Sequence, residues 1–346
     1  MLNTEVSQRR RAVRHVAVHT RLDEKFCATM SHSRTPSGGF TESLLLEAAP
    51  RASKPGSDYD LLYDSDVQPH IRRPYILSGY RPLIDPHEKL WRTALFGLFS
   101  VHNETTLVWS HLIPFGWACH KMHWLLSLPD DAVSPFLPEH MRTTGYFFYA
   151  AAMFCFGTSV IAHLLGPILQ YQPATALWRV DSYGICLMIA GSWLPGLAFG
   201  FRCRPGAGIA YSCITCVLLL LGAFGSATSE TGRPGLAEKL RVGSLVLSTA
   251  FGLVPLAHFC TIAPGDEVQI FLPALLKMFL WYGFGFGFYA SAIPESLQPG
   301  YWDLRGGSHL GWHICVFLAV RAYEVGVSTM LLHRDDSGCQ GWPVWE

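Results

Sequence analysis

Two histidines near the end of the chain stand four residues apart, a spacing suited to metal binding. His309 and His313 (HLGWH) share one face of a helix, because residues at i and i+4 are neighbours there. Ser159 and His163 (SVIAH) repeat this spacing in an earlier apolar stretch. Three imidazoles with an open fourth position are typical of catalytic zinc. We therefore predict that His163, His309 and His313 bind Zn²⁺.

An acidic residue at the start of another apolar stretch belongs with these histidines. Asp181 carries a carboxylate where a charge is expensive, which makes it a functional candidate. We predict that Asp181 orients or deprotonates an attacking water, and that Ser159 hydrogen-bonds a ligand or the oxyanion of acyl transfer. The chemistry indicated is hydrolysis of an amide or ester in a lipid.

Each of these residues also has a purely structural interpretation. A histidine in an apolar helix is often a packing residue held by a hydrogen bond, and a serine there commonly bonds the carbonyl one turn earlier. Asp181 would cap its helix, or it would be the fourth ligand of a structural metal ion.

Apolar segments long enough to cross a bilayer must position these residues. Hydrophobic residues make up 50% of the 346-residue chain and charged residues only 15%, whereas a soluble domain has about 25% charged residues. A spanning helix needs about 20 apolar residues. We predict an all-α polytopic membrane protein, a bundle of seven transmembrane helices, with the spans Thr106–Leu128, Thr144–Gly166, Val180–Phe201, Gly206–Ser226, Val242–Ala263, Val268–Ala292 and His309–Leu332.

The distribution of lysine and arginine predicts the orientation of these spans. With the amino terminus in the cytoplasm, 19 Lys and Arg residues lie on the cytoplasmic side and four on the other. Cytoplasmic loops carry the excess of positive charge, so the carboxyl terminus is extracellular or luminal. His163, Asp181, His309 and His313 then all lie towards the cytoplasmic face.

The remaining composition defines the outer regions of the chain and excludes some partners. Residues 1–70 are predicted to be a largely disordered cytoplasmic region, residues 71–105 a cytoplasmic or interfacial segment, residues 106–332 the membrane domain and residues 333–346 a short outer tail. A net charge of zero excludes a basic surface for nucleic acid. Seven of the ten cysteines lie in apolar runs, so we expect no disulfide framework.

Several stretches together resemble the progestin and adipoQ receptor (PAQR) family, which is related to the haemolysin III proteins. They cover residues 74 to 332 in the family's order. The matching stretches are PYILSGYRPL at Pro74–Leu83, HNETTLVWSHLIP at His102–Pro114, SVIAH at Ser159–His163, DSYGICLMIAGSWL at Asp181–Leu194, and the proline loop with its HxxxH at Ile293–His313. The chain departs from the family pattern at Thr106-Leu107, where Gly-Asn is usual.

The resemblance implies a fold, a metal and a choice of functions. It implies a seven-helix bundle with a cytoplasmic amino terminus, in which His163, His309 and His313 match the zinc ligands and Ser159 and Asp181 the polar pair beside the metal. Some members of this superfamily are ceramidases, and others are described as receptors for adiponectin-like or progestin-like ligands. The location implied is an integral multi-pass protein of the plasma membrane or an endomembrane.

Three functional hypotheses follow from the sequence. The first is a zinc-dependent membrane hydrolase acting on a ceramide-type lipid inside the bundle. The second is a signalling receptor for a lipid, steroid or adiponectin-like ligand, in which zinc is structural. The third, a transporter or pore, has the least support, because the sequence contains no inverted repeat.

The predicted orientation can be tested with terminal tags. A tag on Met1 should be protected from an impermeant reagent in intact cells, whereas a tag after Glu346 should be labelled from the extracellular or luminal side. The reverse pattern would contradict the predicted orientation and would place the histidines and Asp181 towards the extracellular or luminal face.

Overall fold

The computed structural model describes residues 61–85, 87, 89–129, 141–229, 235–332, 339 and 342. They belong to one compact unit, Pro50–Glu346. The predicted disorder of residues 1–60 and most of the predicted outer tail lie outside the described residues. Residues 61–70 are described, and they contain a short 3-10 turn and a β-bridge from Leu62 to Tyr80.

Nine α-helices make up most of the described chain, and no strand occurs among the described residues. They are α1 (Leu90–Phe99), α2 (Thr105–Leu126), α3 (Met141–Leu165), α4 (Tyr171–Gly200), α5 (Pro205–Thr228), α6 (Leu236–Phe251), α7 (Leu253–Ile262), α8 (Gly265–Ser291) and α9 (Gly307–Leu332).

Six helical segments of the described chain are long and apolar enough to cross a membrane. They are α3, α4, α5, the pair α6–α7, α8 and α9, and they fall where the second to seventh spans are predicted. The protein is therefore a polytopic helical membrane protein, as expected. Helix α2 occupies the place of the first predicted span, and it is 22 residues long.

The break between α6 and α7 has a local cause. Pro255 lacks an N–H group, and its ring conflicts with the carbonyl of Phe251, four residues earlier. Helix α6 ends at Phe251, and α7 begins at Leu253 after the single residue Gly252. The two short helices together fill the single span predicted at Val242–Ala263.

Packing brings the end of α3 next to the start of α9. Helix α3 packs on α2 and α4, α8 packs on α9, and α9 also contacts α2, α3 and α4. Their shared interior is apolar and includes the fully buried aromatic rings of Phe148, Phe156 and Phe199. The elements that carry the predicted site residues therefore adjoin one another.

Among the described residues, one disulfide joins two cysteines that lie outside the apolar runs. The cysteines of the apolar runs are free, as expected. Cys203, just after α4, pairs with Cys339 near the carboxyl end, with their Cα atoms 5.7 Å apart. This single disulfide is not a framework, but the sequence did not predict it, because the partners are 136 residues apart and only the fold brings them together.

A buried carboxylate connects three helices away from the histidines. Glu324 on α9 is 2% exposed and lies 2.7 Å from Lys121 Nζ on α2. It also pairs with Arg321 and accepts hydrogen bonds from Tyr149 on α3, at 3.2 Å, and from Ser328, at 2.9 Å. A carboxylate in an apolar bundle needs these partners, because burying it without them costs several kcal/mol.

Removing this carboxylate should destabilise the bundle. Glu324→Ala leaves Lys121 and Arg321 without their anion, and we expect the free energy of unfolding in detergent to fall by about 3 kcal/mol. Asp266→Ala, which removes an exposed carboxylate at the start of α8, is the control and should change it by less than about 1 kcal/mol. If both substitutions lowered the free energy of unfolding equally, the buried ion pairs of Glu324 would contribute no more to stability than an exposed carboxylate does.

Candidate metal centre

Three histidines from two helices converge on one point. His163 lies in the last turn of α3, and His309 and His313 lie at the start of α9. One ring nitrogen from each lies within 4.8 Å of the other two. His163 and His313 are buried and His309 is half-buried. The predicted grouping is therefore present, and it could hold one metal ion.

The hydrogen bond of His163 leaves one of its nitrogens free for a metal. Its Nδ1 lies 2.7 Å from Glu104 Oε2. A carboxylate oxygen only accepts, so Nδ1 carries the proton and Nε2 has the lone pair. This Nε2 is buried and has no hydrogen-bond partner among the described residues. A buried acceptor without a partner, beside two other imidazoles, fits a metal ligand whose ion supplies the missing contact.

His313 is held in the same tautomer by a hydroxyl group. Ser110 on α2 donates its proton to the Leu107 carbonyl at 2.7 Å. The serine oxygen is therefore the acceptor for His313 Nδ1, which lies 2.9 Å away. The proton of His313 is then on Nδ1, and Nε2 again has its lone pair available. Such outer hydrogen bonds orient the ligands of metal centres.

Glu104 is itself fixed by an ion pair. Arg73 approaches both of its oxygens, with Nε 2.8 Å from Oε1 and Nη2 3.0 Å from Oε2. Burial acts to raise the pKa of Glu104, but the charge of Arg73 and the hydrogen bond from His163 outweigh it and hold that pKa below its usual value. Glu104 is therefore an anion that His163 can bond strongly.

A neutral histidine holds the backbone in front of α2. Burial and the charge of Arg81 lower the pKa of His102 to about 4. Its Nε2 donates to the Gly97 carbonyl at 2.8 Å, so its Nδ1 is free to accept the Glu104 backbone N–H at 3.1 Å. This contact fixes the position from which the Glu104 side chain reaches His163.

The amino-terminal segment, residues 61–85, is anchored on both histidine-bearing helices. Arg81 donates to the carbonyl of Leu164 at 2.7 Å, at the end of α3. Asp303, in the loop before α9, accepts from Leu77 N at 3.2 Å and Ser78 Oγ at 2.7 Å. The segment that supplies Arg73 is thus tied to α3 and to the approach to α9.

Two glycines let the chain turn into α9. Gly306 and Gly307 have φ of 86° and 51°, in the left-handed region where a side chain is strained. A Cβ on Gly307 would also lie 2.6 Å from a Glu295 oxygen. That oxygen accepts the Ser308 backbone N–H at 2.7 Å and so satisfies one of the free donors at the helix start. His309 and His313 are therefore placed by a tightly specified turn.

The polar pair predicted beside the metal also lies here. Asp181 has His163 and Ser159 as electrostatic neighbours, and Ser159 hydrogen-bonds its carboxylate. The alternative that Asp181 caps its helix is wrong, because α4 begins at Tyr171 and Asp181 lies inside it. The roles predicted for Asp181 and Ser159 stay predictions.

Sequence reasoning missed the groups that orient the histidines. Glu104 stands out by its charge at the start of an apolar run, but nothing local pairs it with a histidine 59 residues later. Ser110 is one of many serines, and Arg73 lies in a segment without periodicity. Only the packing of α2 against α3 and α9 reveals them.

Comparisons with known proteins agree with this architecture. The family model described as haemolysin-III related matches residues 99–323. Heptahelical transmembrane protein 1 of Arabidopsis thaliana is 32% identical over 77% of this chain and 79% of its own length. Progestin and adipoQ receptor-like protein 1 of Caenorhabditis elegans is 27% identical over 77% of the chain and 59% of its own length.

A third relative is the adiponectin receptor protein of Drosophila melanogaster, 28% identical over 75% of this chain and 57% of that protein. The chain thus spans a little over half the length of the two animal relatives. The family match covers most of the described helices, from α2 to the greater part of α9. The chain belongs to the haemolysin-III related, or PAQR, family of membrane proteins.

Loss of the Glu104 charge should weaken metal binding. Glu104→Gln keeps a hydrogen-bond acceptor for His163 but removes the anion, and such second-sphere changes cost about 10- to 100-fold in metal affinity. The measurement is the chelator concentration that removes half of the bound metal from the purified protein.

A matched control is available at the start of α8. Glu267 is equally buried and pairs with Arg202. Glu267→Gln should lower stability without changing the chelator midpoint. Identical midpoints for wild type and Glu104→Gln would contradict the orienting role.

Proposed function

We propose that this protein binds Zn²⁺ at His163, His309 and His313 and hydrolyses the amide bond of a ceramide-type lipid within a bundle of seven spans. One observation carries the proposal. The buried Nε2 of His163 has no hydrogen-bond partner among the described residues and belongs to a group of three imidazoles with a carboxylate beside it. A structural zinc site is closed by four protein ligands, whereas three histidines leave a position for chemistry.

Three side chains of the protein have distinct roles in the proposed hydrolysis. Zinc bound here would supply Lewis acidity and favour ionisation of a water. Asp181 takes the proton of the attacking water, whose oxygen forms a bond to the acyl carbon. The C–N bond then breaks, and the same proton passes to the leaving nitrogen. Ser159 holds the Asp181 carboxylate in place, and Glu104 keeps His163 in the tautomer that can bind metal.

An apolar cavity gives a lipid chain a place in the bundle. It is lined by α4, α6, α7, α8 and α9, by residues that include Ile189, Trp193, Phe271 and Met278. Ile189 lies eight residues beyond Asp181 on α4, which corresponds to about 12 Å along a helix. An acyl chain whose amide lies at Asp181 would extend along α4 into this cavity. This supports a lipid as the substrate.

The seven-span topology, with a cytoplasmic amino terminus, belongs to the same proposal. Helix α2 is the first of the seven spans, and the six apolar segments are the others. Cys203 and Cys339 both fall on the side that this orientation places outside the cytoplasm. Disulfides persist in oxidising compartments and are rare in the cytosol. The pair therefore supports the orientation and, with it, a metal centre towards the cytoplasmic face.

A second candidate is a receptor with a structural metal ion. Two of the relatives carry the word receptor in their names. The position of Asp181 beside His163 supports this candidate as well, because a carboxylate can complete a tetrahedral site. A lipid or steroid in the same cavity would then act by shifting a conformational equilibrium.

Replacement of Asp181 separates the two candidates. In the hydrolase, Asp181→Asn keeps the size of the side chain and removes its basicity, so turnover of a short-chain ceramide should fall by about 100-fold or more while zinc content is unchanged. Ser159→Ala should cost less, because it removes one hydrogen bond and no proton acceptor.

The contrary outcomes are equally specific. Loss of zinc in Asp181→Asn would make Asp181 a ligand and favour the receptor. Unchanged zinc and unchanged turnover would show that another group is the base. A wild-type protein that contains zinc but hydrolyses no ceramide would refute the hydrolase.

A further inference from the structure

A fourth histidine lies against the metal centre. His111, on α2, stacks face to face on His313, with ring centroids 3.7 Å apart and planes inclined by only 5°. It follows Ser110, the residue that orients His313. His111 is therefore in direct contact with one of the three proposed ligands.

Neither nitrogen of His111 makes a hydrogen bond of normal length and angle. The side chain is 4% exposed, both Nδ1 and Nε2 are buried without such a partner among the described residues, and the backbone of His313 makes only a weak polar contact with the ring. The ring of Phe156 lies 5.2 Å away, so this side of the pocket is apolar. A neutral imidazole has one donor and one acceptor, and each costs about 1–3 kcal/mol when buried unpaired. If the side chain at position 111 only packed against its neighbours, phenylalanine would fill the same space without this cost.

A metal ion does not account for these two nitrogens. The group of described residues whose atoms converge closely enough to hold an ion comprises His163, His309 and His313, without His111. A single ion would in any case engage one nitrogen and leave the other unpaired. Both nitrogens of His111 are therefore available to a molecule that enters the pocket beside the candidate metal centre.

We propose that His111 binds the substrate, by donating its ring N–H to the carbonyl oxygen of the lipid amide. The inference rests on the proposed function and adds a residue to it. The oxygen of an amide gains negative charge as water attacks its carbon, and a donor fixed in an apolar pocket stabilises that charge. Because it stacks on His313, the His111 ring is held next to the candidate metal centre, where the amide bond would be hydrolysed.

The test compares two probes and two substitutions. N-hexanoylsphingosine has an amide oxygen, and its thioamide analogue has sulfur, a weaker acceptor, in the same place. His111→Phe keeps an aromatic ring for the stack and removes both nitrogens, whereas His111→Gln supplies an N–H donor again. Dissociation constants for both probes and zinc content are measured on the full-length, zinc-containing protein.

In the wild type we expect the amide to bind more tightly than the thioamide. His111→Phe should weaken amide binding by about tenfold, the value of one buried hydrogen bond, and should lower the ratio of the two affinities. Any preference of zinc itself for oxygen or sulfur is common to all variants and cancels in that comparison. His111→Gln should recover much of the wild-type ratio, and zinc content should stay unchanged throughout.

Three outcomes would overturn the inference. They are loss of zinc in His111→Phe, equal weakening of both probes, and failure of the wild type to bind N-hexanoylsphingosine. If His111→Phe does not fold, an unchanged ratio in His111→Asn would overturn it in the same way. A wild type that binds the amide but does not hydrolyse it refutes the hydrolase proposal alone, because the affinity ratio still decides the role of His111.

Discussion

The hydrogen bond between His163 and Glu104 links the candidate metal centre to helix α2 and to the amino-terminal segment. It joins α3 to the start of α2, and through Arg73 it extends to the amino-terminal segment. In an apolar bundle this bond is strong, because little water competes for it. The same bond puts the proton on Nδ1 and so leaves Nε2 for a ligand. One contact thus serves both the packing of the helices and the chemistry of the site.

Buried charges follow a common rule on both sides of the bundle. Glu104 is neutralised by Arg73, and Glu324 by Lys121 and Arg321. Each carboxylate bridges helices that are distant in sequence, so it specifies how they pack as well as avoiding the cost of an isolated charge. The nitrogens of His111 and Nε2 of His163 differ from these carboxylates, because they are buried without a hydrogen-bond partner among the described residues. A ligand that enters the histidine cluster would satisfy them.

The parts of this molecule that sequence predicts are those with a local signature. Apolar runs define the helices, and the i, i+4 spacing places His309 beside His313. The break at Gly252 also had a signal, because Pro255 cannot continue a regular helix. Other features depend on contacts between distant segments. The pairs Cys203–Cys339 and Arg73–Glu104 have no periodic signal, so only the folded chain reveals them.

The surroundings of α4 change from polar near Asp181 to apolar further along the helix, and this change limits the kind of molecule that the bundle can bind. Asp181 lies beside the His163 imidazole and the Ser159 hydroxyl, whereas the cavity further along the helix is lined mainly by aromatic and aliphatic side chains. A small polar substrate would gain nothing from the second region, and a hydrocarbon would leave the first unsatisfied. A molecule with a polar group at one end of a long chain matches both. Because such a molecule dissolves in the bilayer that surrounds the helices, the substrate or ligand proposed here already resides where the protein does.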